Sequence, residues 1–192
     1  MKKDIETFYP KSQADWRTWL LENHKSQESV WLLFYKVSSL EPSITWSEAV
    51  DEALCFGWID SKKQTIDKFS YRQFFSKRKP KSTWSKINKD KVQTLEKKGL
   101  MTPEGLKCID IAKENGSWTM LDAIDALIIP DDLEKEFAKH SGSKEFFENL
   151  SKSQKKIILY WVTIAKREET KAKRMSETAV CAAQNQLPKH LR

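Results

Sequence analysis

The stretch "TWSEAVDEALCFGWIDSKKQTIDKFSYRQFF" (Thr45–Phe75) contains the change from helix to strand that decides the fold class. Thr45 and Glu48 have the spacing of a capping box, which predicts that a helix begins there. Gly57 follows the last apolar residue of that helix and predicts its left-handed end. The aromatic segments after Gly57, which turn around Asp67–Lys68, predict an antiparallel hairpin.

The residues before this stretch add one helix and one strand. Ser12 and Asp15 form a second capping box, so a helix is predicted over Ser12–Glu22. The segment "VWLLFYKV" (Val30–Val37) is mainly β-branched and aromatic, which favours a largely buried strand. Because the strands cluster before residue 80 instead of alternating with helices, we predict an α+β fold. It is mostly helical, with a small antiparallel sheet in the N-terminal part.

Only helices are predicted after residue 80. One helix begins at Ser82 or Ser85 and ends at Gly99, and another runs from Thr102 to Gly116. The further predicted helices are Asp131–His140, Ser143–Asn149 and Glu168–Gln184. Another helix begins at Ser151 or Ser153, and it is predicted to turn Ile157, Ile158, Trp161 and Ile164 inward. We therefore predict a single domain over residues 1–192, with a mixed front (1–80) and an all-helical back (81–192).

The positive charge of the chain is concentrated in one segment. The 192 residues carry a formal net charge of +7. Residues 60–99 contain thirteen Lys and Arg against four Asp and Glu, so this segment carries +9 and the rest of the chain −2. Such an asymmetry indicates a negatively charged partner, which is either a small anionic molecule or a polyanion such as nucleic acid.

Cysteine and histidine spacing points to no metal or thiol chemistry. Cys55, Cys108 and Cys181 are far apart and form no CxxC pair, which is typical of reduced thiols. We predict no metal and no cofactor, and the identity of any catalytic residue stays open. No apolar run is long enough to span a bilayer, and no apolar stretch follows the first lysines as in a secretory signal. We expect a cytoplasmic location.

The predicted binding site combines two segments, "WIDS" (Trp58–Ser61) and "RKPKSTWSKIN" (Arg78–Asn88). Proline restricts the basic loop, and the helix that follows it starts with backbone N–H groups that attract anions. Arginine adds a planar set of donors suited to carboxylate or phosphate. The predicted ligand-binding residues are Trp58, Asp60, Ser61, Arg72, Arg78, Lys81, Ser82, Trp84, Ser85, Lys86 and Asn88.

Other interpretations of the same residues stay open. Trp58 can anchor the core, and the basic loop can be an ordinary solvated surface. A small hydrolase or transferase acting on an anionic substrate would use Asp60 with Ser82 or Ser85. A single-stranded nucleic-acid binder would stack bases on outward-facing rings between cations. The rings available for such stacking are Tyr71, Phe74, Phe75 and Trp84.

Several ordered motifs carry a family resemblance. They are "ALCFGWIDS" (Ala53–Ser61), "RKPKSTWSKIN" (Arg78–Asn88), "GLMTPEG" (Gly99–Gly105) and "AKENGSW" (Ala112–Trp118). With them the chain resembles the YdeI/OmpD-associated family, also called bacteriocin-protection proteins, over roughly Val30–Trp118, with a looser match in Leu150–Met175. The resemblance implies a helix-rich α+β fold in a bacterial protein and implies no reaction. It links the protein to bacteriocin or stress tolerance only through the family label.

The chain departs from the family pattern at one place. The family has an Arg before a Phe and a Pro after it, ahead of the basic loop, whereas Phe74 and Lys77 stand at those positions here. Arg72 lies two residues earlier and can face the same way along a strand. Taken together, these observations favour a non-enzymatic binding or interaction module with an anion-favouring site of basic and aromatic residues.

Overall fold

The computed structural model describes residues 5–191. The chain divides into two compact units, and the boundary lies between Trp118 and Thr119. Each unit has its own apolar core. The single domain expected over residues 1–192 stays a prediction.

The first unit contains all the strands of the described residues. Its elements are β1 (Thr7–Phe8), α1 (Gln13–Asn23), β2 (Ser29–Tyr35), α2 (Trp46–Cys55), β3 (Trp58–Thr65), β4 (Ser70–Lys77), α3 (Lys86–Lys97) and α4 (Pro103–Glu114). A short 3-10 turn at Val37–Ser39 lies between β2 and α2. The α+β class is confirmed, although α1 and α2 lie between strands and only α3 and α4 follow the last strand of this unit.

The sheet is mixed rather than purely antiparallel, which corrects one detail of the prediction. The strand order is β1-β2-β4-β3, and both pairs that involve β4 are antiparallel. In contrast, β1 runs parallel to β2, with Thr7 opposite Trp31. Because α1 lies between β1 and β2 in the chain, it forms the crossover that a parallel pair requires. A strand of two residues is too short to show a period-two pattern in the sequence.

The two faces of β2 differ in burial. Val30, Leu32 and Phe34 are buried in the core, and the residues between them are only half-buried. Trp16 from α1 packs edge-on against Phe75 of β4 at a ring distance of 5.6 Å. The core therefore lies between one face of the sheet and the helices.

A close contact between α2 and α4 shapes the first unit. Both the backbone N–H and the hydroxyl of Thr102 donate to the carbonyl of Cys55, at 3.0 and 2.7 Å. A Cβ on Gly105 would lie 2.2 Å from that same carbonyl oxygen. Gly57 has φ +71°, and a Cβ there would lie 3.2 Å from the carbonyl oxygen of Glu104. Only glycine fits at these two positions, so the start of α4 lies directly against the turn from α2 to β3.

The second unit is all-helical in the residues that are described. Its helices are α5 (Asp122–Asp125), α6 (Asp131–Ala138), α7 (Ser143–Asn149), α8 (Lys152–Thr163) and α9 (Glu168–Ala183). Of the residues predicted to face inward on α8, Ile158 is buried, but Ile157 and Ile164 are 49% and 38% exposed. Leu159 and Val162 are buried in their place, because α8 presents a neighbouring stripe to the core. No helix within residues 5–191 has the length and apolar character needed to cross a bilayer.

Candidate functional site

Arg78 is the residue around which the candidate site is built. It directly follows β4, and its backbone N–H donates to the carbonyl of Gly57 at 2.9 Å. Its guanidinium lies over the indole of Trp84, with 3.6 Å between Cζ and the ring centroid. Nη2 donates to the carbonyl of Thr83. Both the main chain and the side chain of Arg78 are therefore held in place.

The guanidinium of Arg78 is buried and incompletely paired. The residue is only 8% exposed, and within residues 5–191 its Nε and Nη1 have no hydrogen-bond partner. Burial lowers the pKa of Arg78 to about 10, although the nearby Cys108 and Asp60 act in the opposite direction. The group is thus cationic at neutral pH. Unpaired buried donors of this kind cost about 1–3 kcal/mol each, so the site favours an added acceptor.

Arg78 lines a cavity of about 450 Å³ in the first unit. Four of the lining residues are Lys or Arg, against a single carboxylate, so the wall is predominantly positive. Pro80 and Ile111 supply an apolar part of the wall. The complete lining is His24, Lys25, Gly57, Lys77, Arg78, Pro80, Glu104, Lys107, Cys108 and Ile111.

Two of the cavity lysines are paired with carboxylates. Lys25 Nζ lies 3.0 Å from Glu104 Oε1, and Lys77 Nζ lies 2.6 Å from Glu28 Oε1. The hydrogen bond from Lys25 lowers the pKa of Glu104, so this carboxylate is ionised at neutral pH. Lys107 is exposed and has no ion pair with the residues that the structure describes. An excess of positive charge therefore remains around Arg78.

His24 contributes a second buried polar group to this cavity. The residue is 8% exposed, and its ring lies 5.1 Å from that of Phe56. Nδ1 lies 2.7 Å from the carbonyl oxygen of Leu20. Nε2 has no hydrogen-bond partner among residues 5–191 and lies 3.8 Å from Glu104 Oε2. The cavity thus contains two buried side chains, His24 and Arg78, with unused hydrogen-bonding atoms.

The thiol that lines the cavity is not activated. Burial raises the pKa of Cys108, although the positive charge of Arg78 opposes this effect. A thiol with a raised pKa is protonated at neutral pH and is a weak nucleophile. Cys108 therefore serves better as a part of the wall than as a reacting group.

Of the eleven residues predicted to bind a ligand, one, Arg78, is among the residues that line this cavity. Trp58 and Trp84 are each 1% exposed and belong to the core, which agrees with the anchoring role left open for Trp58. Asp60 accepts hydrogen bonds from Trp46 Nε1 and Gln73 Nε2, each at 2.9 Å. These partners fix Asp60 beside the start of α2.

The other predicted residues lie on β3, β4, the basic loop and α3. Arg72 Nε donates to Gln64 Oε1 at 2.8 Å, and its guanidinium lies 4.5 Å from the ring of Trp31. Ser85 is the N-cap of α3 and accepts from the N–H of Asn88. Lys86 pairs with Asp90 one helical turn away, Ser61 and Lys81 are exposed, and Ser82 is half-buried.

The structure weakens both alternative hypotheses for the basic stretch, which are single-stranded nucleic-acid binding and a hydrolase or transferase activity. Phe75 and Trp84 are buried, and Tyr71 stacks on Phe34 at 5.0 Å, so these rings offer no open stacking surface for bases. Phe74 lies against Trp31 on the less buried side of the sheet. The hydrolase or transferase hypothesis requires Asp60 to act with a serine hydroxyl. Its carboxylate instead accepts hydrogen bonds from an indole and an amide.

Sequence reasoning missed most of the cavity residues. His24 and Lys25 follow α1, whereas Glu104, Lys107 and Cys108 belong to α4, about eighty residues later. The sequence signal for these residues was the motif "GLMTPEG", in which Gly105 indicates that the backbone comes close to another segment. It could point to α4 but not to the end of α1.

The fold and the cavity define an α+β protein with a buried arginine in a predominantly basic pocket. Residues 8–108 match the family model described as Domain of unknown function (DUF8412), and the chain belongs to that family. Residues 126–185 match the model described as Bacteriocin-protection, YdeI or OmpD-Associated. Comparisons with curated proteins and with solved structures give no match.

The second of these matches confirms the resemblance to the YdeI/OmpD-associated family. The matched residues include Leu150–Met175, where only a looser similarity was expected. The motif-rich part of the chain up to residue 108 matches the domain of unknown function instead. Neither description names a ligand or a reaction.

Proposed function

We propose that the protein is a binding module that holds a small organic anion in the cavity beside Arg78. One observation carries this proposal: a guanidinium that is more than nine-tenths buried keeps two donors without a partner in residues 5–191, and it lines a cavity. An anionic group placed there would form charge-assisted hydrogen bonds, which are stronger than bonds between neutral groups.

The immobilised side chain supports this role. The stack on Trp84 and the bond to Thr83 fix the guanidinium before any ligand arrives. A ligand would then bind without the loss of side-chain entropy that a free arginine incurs. The positive wall adds a longer-range attraction for anions, because Lys107 has no ion pair in the described residues.

The size and lining of the cavity favour an organic anion over an inorganic one. A volume of about 450 Å³ lies in the usual range for small-molecule sites. Pro80 and Ile111 offer apolar surface for a hydrocarbon portion of the ligand. A cytoplasmic location and a link to bacteriocin or stress tolerance stay predictions.

Calorimetric titration with 3-phenylpropionate and with inorganic phosphate tests the proposal. Arg78→Met removes the guanidinium, and Arg72→Met is the matched control because it removes the same charge from the sheet. We expect saturable binding of 3-phenylpropionate by the wild-type protein, roughly ten- to a hundred-fold weaker binding by R78M, and no change in R72M. Equal affinity in R78M and R72M, or no binding of either anion by the wild type, would refute the proposal.

A further inference from the structure

We infer that the ligand of this cavity carries an ammonium group in addition to its anionic group, so that it belongs to the chemical class of amino acids. This inference rests on the proposed function and adds the second recognition element. The ammonium is received by His24 Nε2 and the carboxylate of Glu104.

The tautomer of His24 follows from its partner. A carbonyl oxygen can only accept, so Nδ1, 2.7 Å from the oxygen of Leu20, carries the hydrogen. In the neutral imidazole Nε2 is then a pure acceptor. This atom is buried and has no hydrogen-bond partner among residues 5–191, and His24 is one of the residues that line the cavity. Neutral His24 thus presents a buried acceptor without a donor, which is costly.

A second acceptor lies beside the first. Glu104 Oε2 is 3.8 Å from His24 Nε2, whereas Oε1 is bound by Lys25 at 3.0 Å. Two acceptors at this separation can share one donor atom that lies about 2.9 Å from each of them. A hydroxyl has a single hydrogen and would serve only one acceptor. An ammonium has three hydrogens and can donate one to each acceptor.

Arg78 and the His24–Glu104 pair then recognise the two charged groups of one ligand. Arg78 provides two donors without acceptors, Nε and Nη1, and neutral His24 provides one acceptor without a donor, Nε2, beside Glu104 Oε2. Pro80 and Ile111 contribute apolar wall for a side chain. A carboxylate alone would leave His24 Nε2 unpaired in the bound state.

The test compares L-phenylalanine with 3-phenylpropionate, which has the same skeleton without the amine. We expect the wild type to bind L-phenylalanine roughly ten-fold more tightly, since leaving a buried acceptor unpaired weakens binding. In His24→Phe this advantage of L-phenylalanine over 3-phenylpropionate should disappear. The backbone N–H of His24 also donates to Leu20, so the helix end is retained in H24F.

A second variant covers the case in which H24F does not fold. Glu104→Gln removes the charge of a side chain that is partly exposed and should also reduce the preference for the amine. Equal binding of the two compounds by the wild type, or an unchanged preference in both variants, would overturn the inference. If 3-phenylpropionate still binds in a manner that requires Arg78, only the ammonium site is refuted and the anion site stands.

Discussion

The guanidinium carbon of Arg78 lies 3.6 Å from the centroid of the Trp84 indole. A desolvated stack of this kind is worth about 2 kcal/mol or more. The carbonyl of Thr83, one residue before the tryptophan, accepts a hydrogen bond from the same guanidinium. The motif "RKPKSTW" therefore folds back on its own arginine. Trp84, predicted to contact a ligand, instead positions the residue that lines the cavity.

We predict that Arg78→Met leaves the free energy of unfolding within about 1 kcal/mol of the wild-type value or raises it. A buried cation with unpaired donors is costly, and a methionine of similar length can still pack on Trp84. Urea denaturation followed by tryptophan fluorescence measures the change.

Arg78→Ala is the control for packing in the same position. It should lower the stability by roughly 1–3 kcal/mol, because the alkyl stem is lost along with the charge. If R78M is as unstable as R78A, the guanidinium is a structural group and its stack contributes more than its desolvation costs.

Gly105 should tolerate no side chain. An alanine Cβ would lie 2.2 Å from the carbonyl oxygen and 2.8 Å from the carbonyl carbon of Cys55, and backbone atoms cannot rotate away. We expect Gly105→Ala to lower the unfolding free energy by about 1–3 kcal/mol or more. The loss should be accompanied by weaker anion binding, since α4 forms one wall of the cavity.

Gly99→Ala is a suitable control for this substitution. Gly99 has φ +67°, but a Cβ there meets nothing within 4 Å. Gly99→Ala should therefore lower the unfolding free energy by only about 1 kcal/mol, through the strain of the left-handed conformation, and leave anion binding intact. Equal effects of G105A and G99A in thermal denaturation would contradict the close contact between α2 and α4.

Glu48 should contribute a pH-dependent part of the stability. Hydrogen bonds from the hydroxyl and the backbone N–H of Thr45 lower its pKa in the folded protein. A folded pKa below the unfolded one means that this contribution is complete above the unfolded pKa and is lost as the pH falls through the folded pKa. Urea denaturation of wild type and Glu48→Gln from about pH 7 to about pH 3 measures the difference, which should shrink toward the acidic end. A difference that grows on acidification would contradict the assignment.

The three cysteines should differ in reactivity toward iodoacetamide at pH 8. Burial raises the pKa of Cys55 to about 11, so its thiolate fraction is on the order of 0.1%. Burial also raises the pKa of Cys108, while Cys181 is half-buried on α9. Mass spectrometry should find native Cys181 labelled first and Cys55 last. Labelling of native Cys55 as fast as Cys181 would show that the end of α2 opens in solution.

Much of the local structure could be predicted from the sequence. The capping boxes at Ser12 and Thr45 are present, and so is the cap at Ser85 that the sequence left as one of two choices. A capping hydrogen bond joins residues three positions apart, so its geometry depends little on the rest of the fold. The helix ends were predictable for this reason.

The sequence could not predict in the same way which aromatic rings are buried or which face of α8 packs against the core. Helix α8 carries two neighbouring apolar stripes, and packing within the second unit selected the one with Leu159 and Val162 instead of the one with Ile157 and Ile164. The hydrophobic pattern of a single helix cannot distinguish such stripes, because either would face a core equally well.

The sequence by itself determined the fold class, the helix ends and the location of the basic segment, because each depends on local spacing and composition. Only the tertiary structure decided which polar groups meet in the cavity. Strand pairing and the glycine-mediated contact of α4 with α2 bring His24, Arg78 and Glu104 to one place. Their approach depends on how segments that are distant in the chain pack together, and the pattern of a single segment does not encode that packing.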